Sequence, residues 1–392
     1  MEYNFDEISD RTLSDSLKWS KKYLEESFGD ESCLPLWIAD MDFKTPKPVI
    51  DALTERVAHG IFGYGYPPEE FKQCVVDWQK RRNGWYIEKE WLVFSTGILP
   101  ALNFIIQSFC LPGDRIVLQT PVYYPFREII ESNGCFAADN PLILKDEKYE
   151  MNFDQLEQLV QHSRVKMLIL CSPHNPVGRV WKEEELKRLG KICLANDVLV
   201  VSDEIHSDLI YTGHKHIPFA SISETFAQNS IICTAPTKTF NLAGIQTSNL
   251  IIKNKRIREI LGDKLTSAYI EPSVFAIAAQ IAAYTKGEDW LAQLLQYLQA
   301  NVTFTENFLL QHMPEVRLIQ PEATFLAWLD FRQVFKDAPL LEEWMKKKAK
   351  VALDEGYIFG QGGEGFARIN FACPRSTLEN ALLQIARALK NV

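Results

Sequence analysis

The stretch VKMLILCSPHNPVGRVWKEEELKRLGKICLANDVLVVSD, residues 165–203, decides the fold class of this chain. It contains two short runs rich in Val, Ile and Leu, at 165–171 and 198–202, which are typical of strands buried on both faces of a parallel sheet. Between them, residues 182–195 show a helical pattern with acidic side chains in the first turn, where the helix dipole favours them. The order strand, helix, strand predicts an α/β fold.

The same alternation continues on both sides of this stretch. Residues 115–119, 231–234 and 249–252 are further strand candidates, and residues 153–162 show another helical pattern. The middle of the chain therefore predicts a mostly parallel central sheet covered by helices.

The two ends of the chain have a different pattern. Residues 1–45 are mixed and polar. The C-terminal part predicts, in order, a long amphipathic helix at 285–312, a strand at 324–330, a helix at 339–355, a strand at 367–371 and a helix at 376–390. We therefore predict a large α/β domain over residues 46–284 and a smaller α+β domain formed by residues 1–45 and 285–392.

Composition and charge restrict the partners of the chain. A net charge of −9 over 392 residues argues against nucleic acid, because phosphate binding requires a basic face. The apolar runs are too short to span a bilayer, and the first residues lack the apolar core of a secretory signal. The eight cysteines form no C-x-x-C pair. We expect a cytoplasmic protein with reduced thiols and no membrane partner.

Four polar segments follow predicted strands, at the edge where ligands of open α/β sheets bind. The first is STGILPALNFIIQSF, residues 95–109. The backbone N–H groups of Gly97 and Ile98 would form an anion site at the start of its apolar helix. An ordinary helix N-cap made by Ser95 or Thr96 is the alternative.

The second and third segments supply an amide and a carboxylate. Asn175, in SPHNPVGRVW (172–181), precedes a proline and could donate to a ligand oxygen, or it could form an ordinary Asn-Pro turn. Asp203, in VVSDEIHSDL (200–209), ends an apolar strand, where a carboxylate needs a partner or a ligand cation. It could keep a pyridinium nitrogen protonated, or it could cap a helix.

The fourth segment, CTAPTKTFNLAGIQ (233–246), places Lys238 just past a strand. Burial there would lower the pKa of the lysine, which suits imine formation, and Thr237 could bind a phosphate oxygen. The alternative is a surface lysine in a turn. Asn175, Asp203 and Lys238 follow separate strands about 30 residues apart, which corresponds to one βα unit per step.

The order and spacing of these segments resemble the fold-type I pyridoxal-phosphate enzymes, the aspartate aminotransferase superfamily, over nearly the whole chain. Within it the chain is most similar to the MalY/PatB group of C–S β-lyases, which are cystathionine β-lyase-like. The motifs that carry this resemblance are PLWIADMDF (35–43), FGYGYP (62–67), TPVYYPF (120–126), SDEIHSD (202–208) and KTFNLAGIQTSN (238–249).

The resemblance implies pyridoxal 5′-phosphate (PLP) as the cofactor. Lys238 would form a Schiff base with it and later move protons, and Asp203 would pair with its pyridine nitrogen. Asn175 would bond the ring's 3′-oxygen, and Tyr123 would stack on the ring face. The phosphate would be held by Gly97, Ile98 and Thr237.

The resemblance also implies how substrate and a second subunit contribute. Arg368, in FARINFACPR, would clamp the α-carboxylate of a small amino acid with two hydrogen bonds, and Ala39 would line the substrate pocket. Tyr64 would reach the phosphate of a neighbouring subunit, which implies a homodimer with a shared active site. The residues expected to act in catalysis are Lys238, Tyr123 and Tyr64.

Two positions depart from the aminotransferase pattern. His206 stands where a tyrosine usually bonds the 3′-oxygen, and we expect it to bind the cofactor as well. Gln246 stands where an arginine usually binds the phosphate, which leaves less positive charge there. Both residues look like the β-lyase group and argue against plain transamination.

The implied function is a PLP-dependent C–S β-lyase that converts L-cystathionine or L-cysteine to a thiol or hydrogen sulfide, pyruvate and ammonia. An aminotransferase is one alternative, and a regulatory protein that keeps the site but binds a partner is another. We predict no metal site, because the histidines near Glu204 fit no common zinc spacing. The glycines of 360–365 match G-x-G-x-x-G, but a strand pattern follows where a dinucleotide site needs a helix.

Overall fold

A computed structural model describes residues 1–390 of the chain. The strands are β1 (Leu34–Pro35), β2 (Leu92–Ser95), β3 (Arg115–Leu118), β4 (Phe136–Asp139), β5 (Ile143–Lys145), β6 (Lys148–Glu150), β7 (Val165–Cys171), β8 (Leu199–Asp203), β9 (Ser230–Thr234), β10 (Ser248–Ile251), β11 (Arg317–Ile319), β12 (Leu326–Asp330), β13 (Val351–Ala352), β14 (Asp354–Glu355) and β15 (Phe366–Asn370). The α-helices are α1 (Lys21–Phe28), α2 (Lys47–His59), α3 (Glu69–Asn83), α4 (Ile98–Phe109), α5 (Pro125–Ser132), α6 (Phe153–Leu159), α7 (Glu183–Ala195), α8 (Glu224–Gln228), α9 (Pro236–Thr239), α10 (Lys255–Ser267), α11 (Val274–Lys286), α12 (Glu288–His312), α13 (Ala338–Trp344) and α14 (Arg375–Leu389).

The central sheet has seven strands in the order β2-β10-β9-β8-β7-β3-β4. Strands β4, β3, β7, β8 and β9 are parallel, and β10 runs antiparallel to both of its neighbours. All residues of β8 and β9 are buried, and β7 exposes only Lys166, as expected for strands covered on both faces. The predicted α/β fold with a mostly parallel sheet is confirmed.

The register of the parallel strands brings the predicted site residues to one edge. Cys171, the last residue of β7, pairs with Asp203 on β8, and Asp203 pairs with Cys233 on β9. The loop that carries Asn175 and the short helix α9 that carries Lys238 follow β7 and β9 directly. The three side chains therefore leave the sheet at the same end.

A second, antiparallel sheet of four strands, in the order β11-β12-β15-β14, lies in the C-terminal part. The short strand β1 from the N-terminal segment pairs in parallel with β13, so the N-terminal segment contacts the C-terminal part of the fold. The predicted domain limits at 45/46 and 284/285 stay a prediction. No helix within residues 1–390 combines the length and the apolar character that crossing a bilayer requires.

The predicted helix at 339–355 is wrong over its second half. Helix α13 ends at Trp344 and continues as a π-helical turn over Met345–Ala349. Lys350 then adopts a left-handed backbone with φ 55°, which ends the helix. Residues 351–352 and 354–355 form β13 and β14 instead, because they find partners on β1 and β15 that lie far away in the sequence.

Candidate active site

A cavity of about 290 Å³ lies at the carboxyl ends of β7, β8 and β9. Nine of the eleven residues predicted for the site line it, namely Ala39, Gly97, Ile98, Tyr123, Asn175, Asp203, His206, Thr237 and Lys238. Gln246 lines it as well. Arg368 and Tyr64 lie outside this lining: Arg368 bonds to one of the lining residues, whereas Tyr64 is on the surface.

Lys238 is partly buried and faces the cavity from α9, so it is not a surface lysine in a turn. Its Nζ donates a hydrogen bond of 2.5 Å to the backbone oxygen of Ala39. Burial lowers the pKa of Lys238 to about 8, against an opposing effect of the Asp40 carboxylate, while the positive charge of Arg368 lowers it further. With this pKa, about a tenth of the amine is neutral at pH 7 and can act as a nucleophile or base.

Asp203 is buried at the end of β8 and is not a helix N-cap, because no helix begins there. Its Oδ1 accepts a hydrogen bond of 3.1 Å from the backbone N–H of Ile205. Burial raises the pKa of this carboxyl to about 7, and the nearby charge of Glu204 adds to the rise. A cation placed in the cavity beside Asp203 would lower that pKa and fix the carboxylate form.

Asn175 connects the cavity to Arg368. Its Oδ1 accepts a 3.0 Å hydrogen bond from Arg368 Nη1, and its backbone oxygen accepts one of 3.1 Å from the N–H of Tyr123. Arg368 lies on β15 and is 2% exposed. Its Nη2 also donates to the carbonyl of Trp37 at 2.9 Å and to the carboxylate of Asp354.

Burial keeps Tyr123 and His206, two residues predicted to contact the cofactor, in their neutral forms. Burial raises the pKa of Tyr123 to about 12, so the phenol keeps its proton and can donate a hydrogen bond. Burial lowers the pKa of His206 to about 3, and the charges of Lys238 and Arg368 act in the same direction. The buried Nδ1 of His206 has no hydrogen-bond partner in the protein. His206 therefore enters the cavity as a neutral group with free bonding capacity.

The start of helix α4 forms an uncapped edge of the cavity. Gly97 is the N-cap residue, and no side chain caps the helix, so the alternative interpretation in which Ser95 or Thr96 caps it does not hold. The hydroxyl of Ser95 donates to the backbone oxygen of Gly97 instead, at 3.2 Å. Free N–H groups at a helix start attract anions, and Thr237 and Gln246 line the same cavity.

Tyr64 is fully exposed, in a segment without regular secondary structure between α2 and α3. Ile61, Phe62 and Tyr66 beside it are exposed as well. Tyr64 does not line the cavity of its own chain.

Two acids near the site were missed by sequence reasoning. Asp40 influences Lys238, and it is held by Arg11 at 2.6 Å. Asp354 pairs with Arg368. Asp40 lies in the motif PLWIADMDF beside Ala39, but the motif alone does not indicate a role for it. The local sequence around Asp354 does not indicate that it pairs with Arg368. In residues 1–390 no cluster of His, Cys, Asp and Glu could hold a metal ion.

Residues 31–385 match the family model for aminotransferase class I and II. The chain is 44% identical over 387 residues to the cystathionine β-lyase PatB of Bacillus subtilis, covering 98% of this chain and 100% of PatB. These matches confirm the resemblance to the aminotransferase superfamily and to its PatB-type β-lyases.

Solved structures agree with the sequence comparison. Cystalysin from Treponema denticola, whose crystal contains PLP, superposes with a TM-score of 0.96 at 38% identity over 100% of both chains. The PLP-bound C–S lyase from Staphylococcus hominis superposes with a TM-score of 0.92 at 35% identity, covering 99% of this chain and 98% of that one. The chain therefore belongs to the class I and II aminotransferase family of PLP-dependent enzymes.

Proposed function

We propose that the chain is a PLP-dependent C–S β-lyase that converts L-cystathionine or L-cysteine to a thiol or hydrogen sulfide, pyruvate and ammonia. The observation that carries this proposal is the meeting of Lys238 and Asp203 at one cavity, in a chain 44% identical along its length to a cystathionine β-lyase. An amine with a lowered pKa and a buried carboxylate suit an aldehyde cofactor with a basic ring nitrogen.

The lining of the cavity fits PLP at each of its polar groups. The uncapped start of α4 can bind the phosphate, with Thr237 beside it. Asp203, which has a single backbone N–H partner, would be satisfied by a protonated ring nitrogen. Asn175 and His206 lie where they could bond a ring oxygen, and Tyr123 could cover the ring face.

When bound, PLP supplies an electron-withdrawing ring that makes the α-C–H of an attached amino acid acidic. The chain's own part is to place and remove protons. The Nζ of Lys238, with a pKa of about 8, takes the α-proton as a general base. Asp203 would hold the ring nitrogen in its protonated form, and Arg368 would orient the substrate by its carboxylate.

The test is pyruvate release from L-cystathionine by the purified protein without an added oxo acid. Pyruvate together with homocysteine and ammonia, in equal amounts, is the expected result. Amino-group transfer that occurs only when an oxo acid is supplied would show an aminotransferase that uses the same residues. If PLP is bound and neither reaction occurs, both enzymatic functions are contradicted.

We further propose a homodimer in which Tyr64 reaches the phosphate site of the partner subunit. The exposure of Tyr64, Phe62 and Ile61 on one segment supports it, since contiguous exposed apolar side chains mark interaction surfaces. Tyr64→Ala is expected to lower activity at least about tenfold by removing a hydrogen bond to a charged group. Tyr66→Ala, an exposed neighbour, is the matched control.

Mixed subunits test the shared site directly. In a dimer of one Tyr64→Ala chain and one Lys238→Ala chain, one of the two sites has both residues intact. Mixing the two impaired variants is therefore expected to give about a quarter of wild-type activity after random exchange in a two-fold dimer, more than either variant alone. Activity that stays at the level of the separate variants would place Tyr64 outside the partner's site.

We also propose that the protein acts in the cytoplasm. All eight cysteines are free thiols, and seven of them are buried. Buried cysteine behaves as a small apolar side chain, and free thiols are the rule in a reducing compartment.

A further inference from the structure

Asp354 and Arg368 face each other across two adjacent antiparallel strands. They are paired residues in the register of β14 and β15, and Asp354 Oδ2 accepts a hydrogen bond from Arg368 Nη2. Asp354 is 6% exposed and Arg368 is 2% exposed. Burial raises the pKa of Asp354, while the charge of Arg368 lowers it. The pair forms an internal ion pair directly behind the cavity.

The hydrogen-bond donors of Arg368 are largely occupied. A guanidinium has five N–H groups and two edges that bind a carboxylate with two parallel bonds. Each of those edges uses one N–H of Nη2. Both Nη2 hydrogens already have acceptors, in the carbonyl of Trp37 and the carboxylate of Asp354. Nε has no partner, but it cannot form a two-bond edge without Nη2.

The guanidinium is also held in its plane. It lies over the ring of Phe359, with 4.9 Å between Cζ and the ring centroid, and Nη1 is bound to Asn175. The guanidinium of Arg368 therefore cannot rotate to present an unoccupied pair of N–H groups to a substrate. A carboxylate that binds with two bonds must replace the Trp37 carbonyl or Asp354, and in either position it meets the negative charge of Asp354.

We propose that Asp354 is a positioning residue that serves as the internal counter-ion of Arg368 and weakens the binding of the substrate α-carboxylate. This inference rests on the proposed function, in which Arg368 is the carboxylate clamp. In the absence of substrate, Asp354 pairs with the buried guanidinium of Arg368. Without a partner, that buried charge would destabilise the fold. When substrate arrives, its carboxylate takes over an Nη2 donor against the repulsion of Asp354.

The contribution of the carboxylate is measured with two ligands that have no leaving group on the β-carbon. L-Alanine carries the carboxylate and L-alaninamide lacks it. Each is titrated into the PLP-loaded enzyme while the visible absorption band of the cofactor is followed. The ratio of the two dissociation constants reports only what the carboxylate adds, so a general loosening of the structure does not change it.

Asp354→Asn keeps a hydrogen-bond acceptor and removes the charge, so we expect it to raise the preference for L-alanine about tenfold. KM for L-cystathionine falls while kcat changes little. Glu355→Gln, which removes a charge from the next residue on β14 without a contact to Arg368, leaves the ratio unchanged. If Asp354→Asn does not fold, Asp354→Ser gives the same comparison.

An unchanged or lower preference for L-alanine in the folded Asp354 variant overturns the inference. Arg368→Ala separates this failure from that of the proposed function. The alanine preference is expected to disappear in Arg368→Ala. If it persists there, Arg368 is not the carboxylate clamp, and both that part of the proposed function and the role of Asp354 are wrong. If it disappears there but does not rise in Asp354→Asn, only the role of Asp354 is wrong.

Discussion

Replacement of Lys238 by alanine is expected to lower kcat for pyruvate formation by about 10⁴-fold, because the variant loses both its covalent anchor for PLP and its general base. The structure supports a single candidate for these roles, since Lys238 is the only lysine that lines the cavity in residues 1–390. The measurement is a coupled pyruvate assay on PLP-saturated protein with L-cystathionine.

Two controls separate the amine of Lys238 from its charge. Lys238→Arg keeps a positive charge but cannot supply a neutral amine, so it is expected to be as inactive as Lys238→Ala. Lys215→Ala, in an exposed loop, is expected to keep full activity. A Lys238→Ala enzyme within tenfold of wild type would mean that another group removes the α-proton.

The part of the site that the sequence could predict is the part set by strand order. The strand prediction at 165–171 coincides with β7. The prediction at 198–202 is shifted by one residue at both ends from β8, and that at 231–234 starts one residue later than β9. Parallel neighbours align their carboxyl ends, so the side chains that follow them had to meet. Such a prediction needs only hydrophobic patterns and the number of residues between strands.

The part that could not be predicted depends on contacts between distant segments. Ala39 meets Lys238 across 199 residues of sequence, and the strand β14 that carries Asp354 is only two residues long. A two-residue strand leaves no periodic pattern, and its neighbours read as a continuing helix until Lys350 ends it. Only the register of β14 and β15 shows that Asp354 is the counter-ion of Arg368.

Asp203→Asn is expected to lower kcat about 10²- to 10³-fold while PLP stays bound. Asparagine has nearly the same shape and can still accept the 3.1 Å hydrogen bond from the N–H of Ile205. It lacks the charge that keeps the ring nitrogen protonated, so the ring withdraws fewer electrons from the α-carbon. Asp197→Asn, at an exposed residue two positions before the first residue of the same strand, is the matched control. Activity within threefold of wild type would show that elimination does not require this charge.

The same substitution tests the cause of the raised pKa. Burial moves the pKa of Asp203 from 3.8 to about 7, so the folded protein without PLP binds a proton that the unfolded chain has released. The contribution of Asp203 to the free energy of unfolding is therefore intact below the unfolded pKa and is lost as the pH rises through about 7. Asparagine cannot ionise, so the stability of the PLP-free variant relative to the PLP-free wild type is expected to rise between about pH 4 and 7 and to stay constant above that, at up to a few kcal/mol in urea unfolding. PLP should abolish this pH dependence in the wild type, because its ring nitrogen gives the carboxylate a partner. A stability difference that stays constant with pH would instead mean that Asp203 is already ionised and solvated before the cofactor binds.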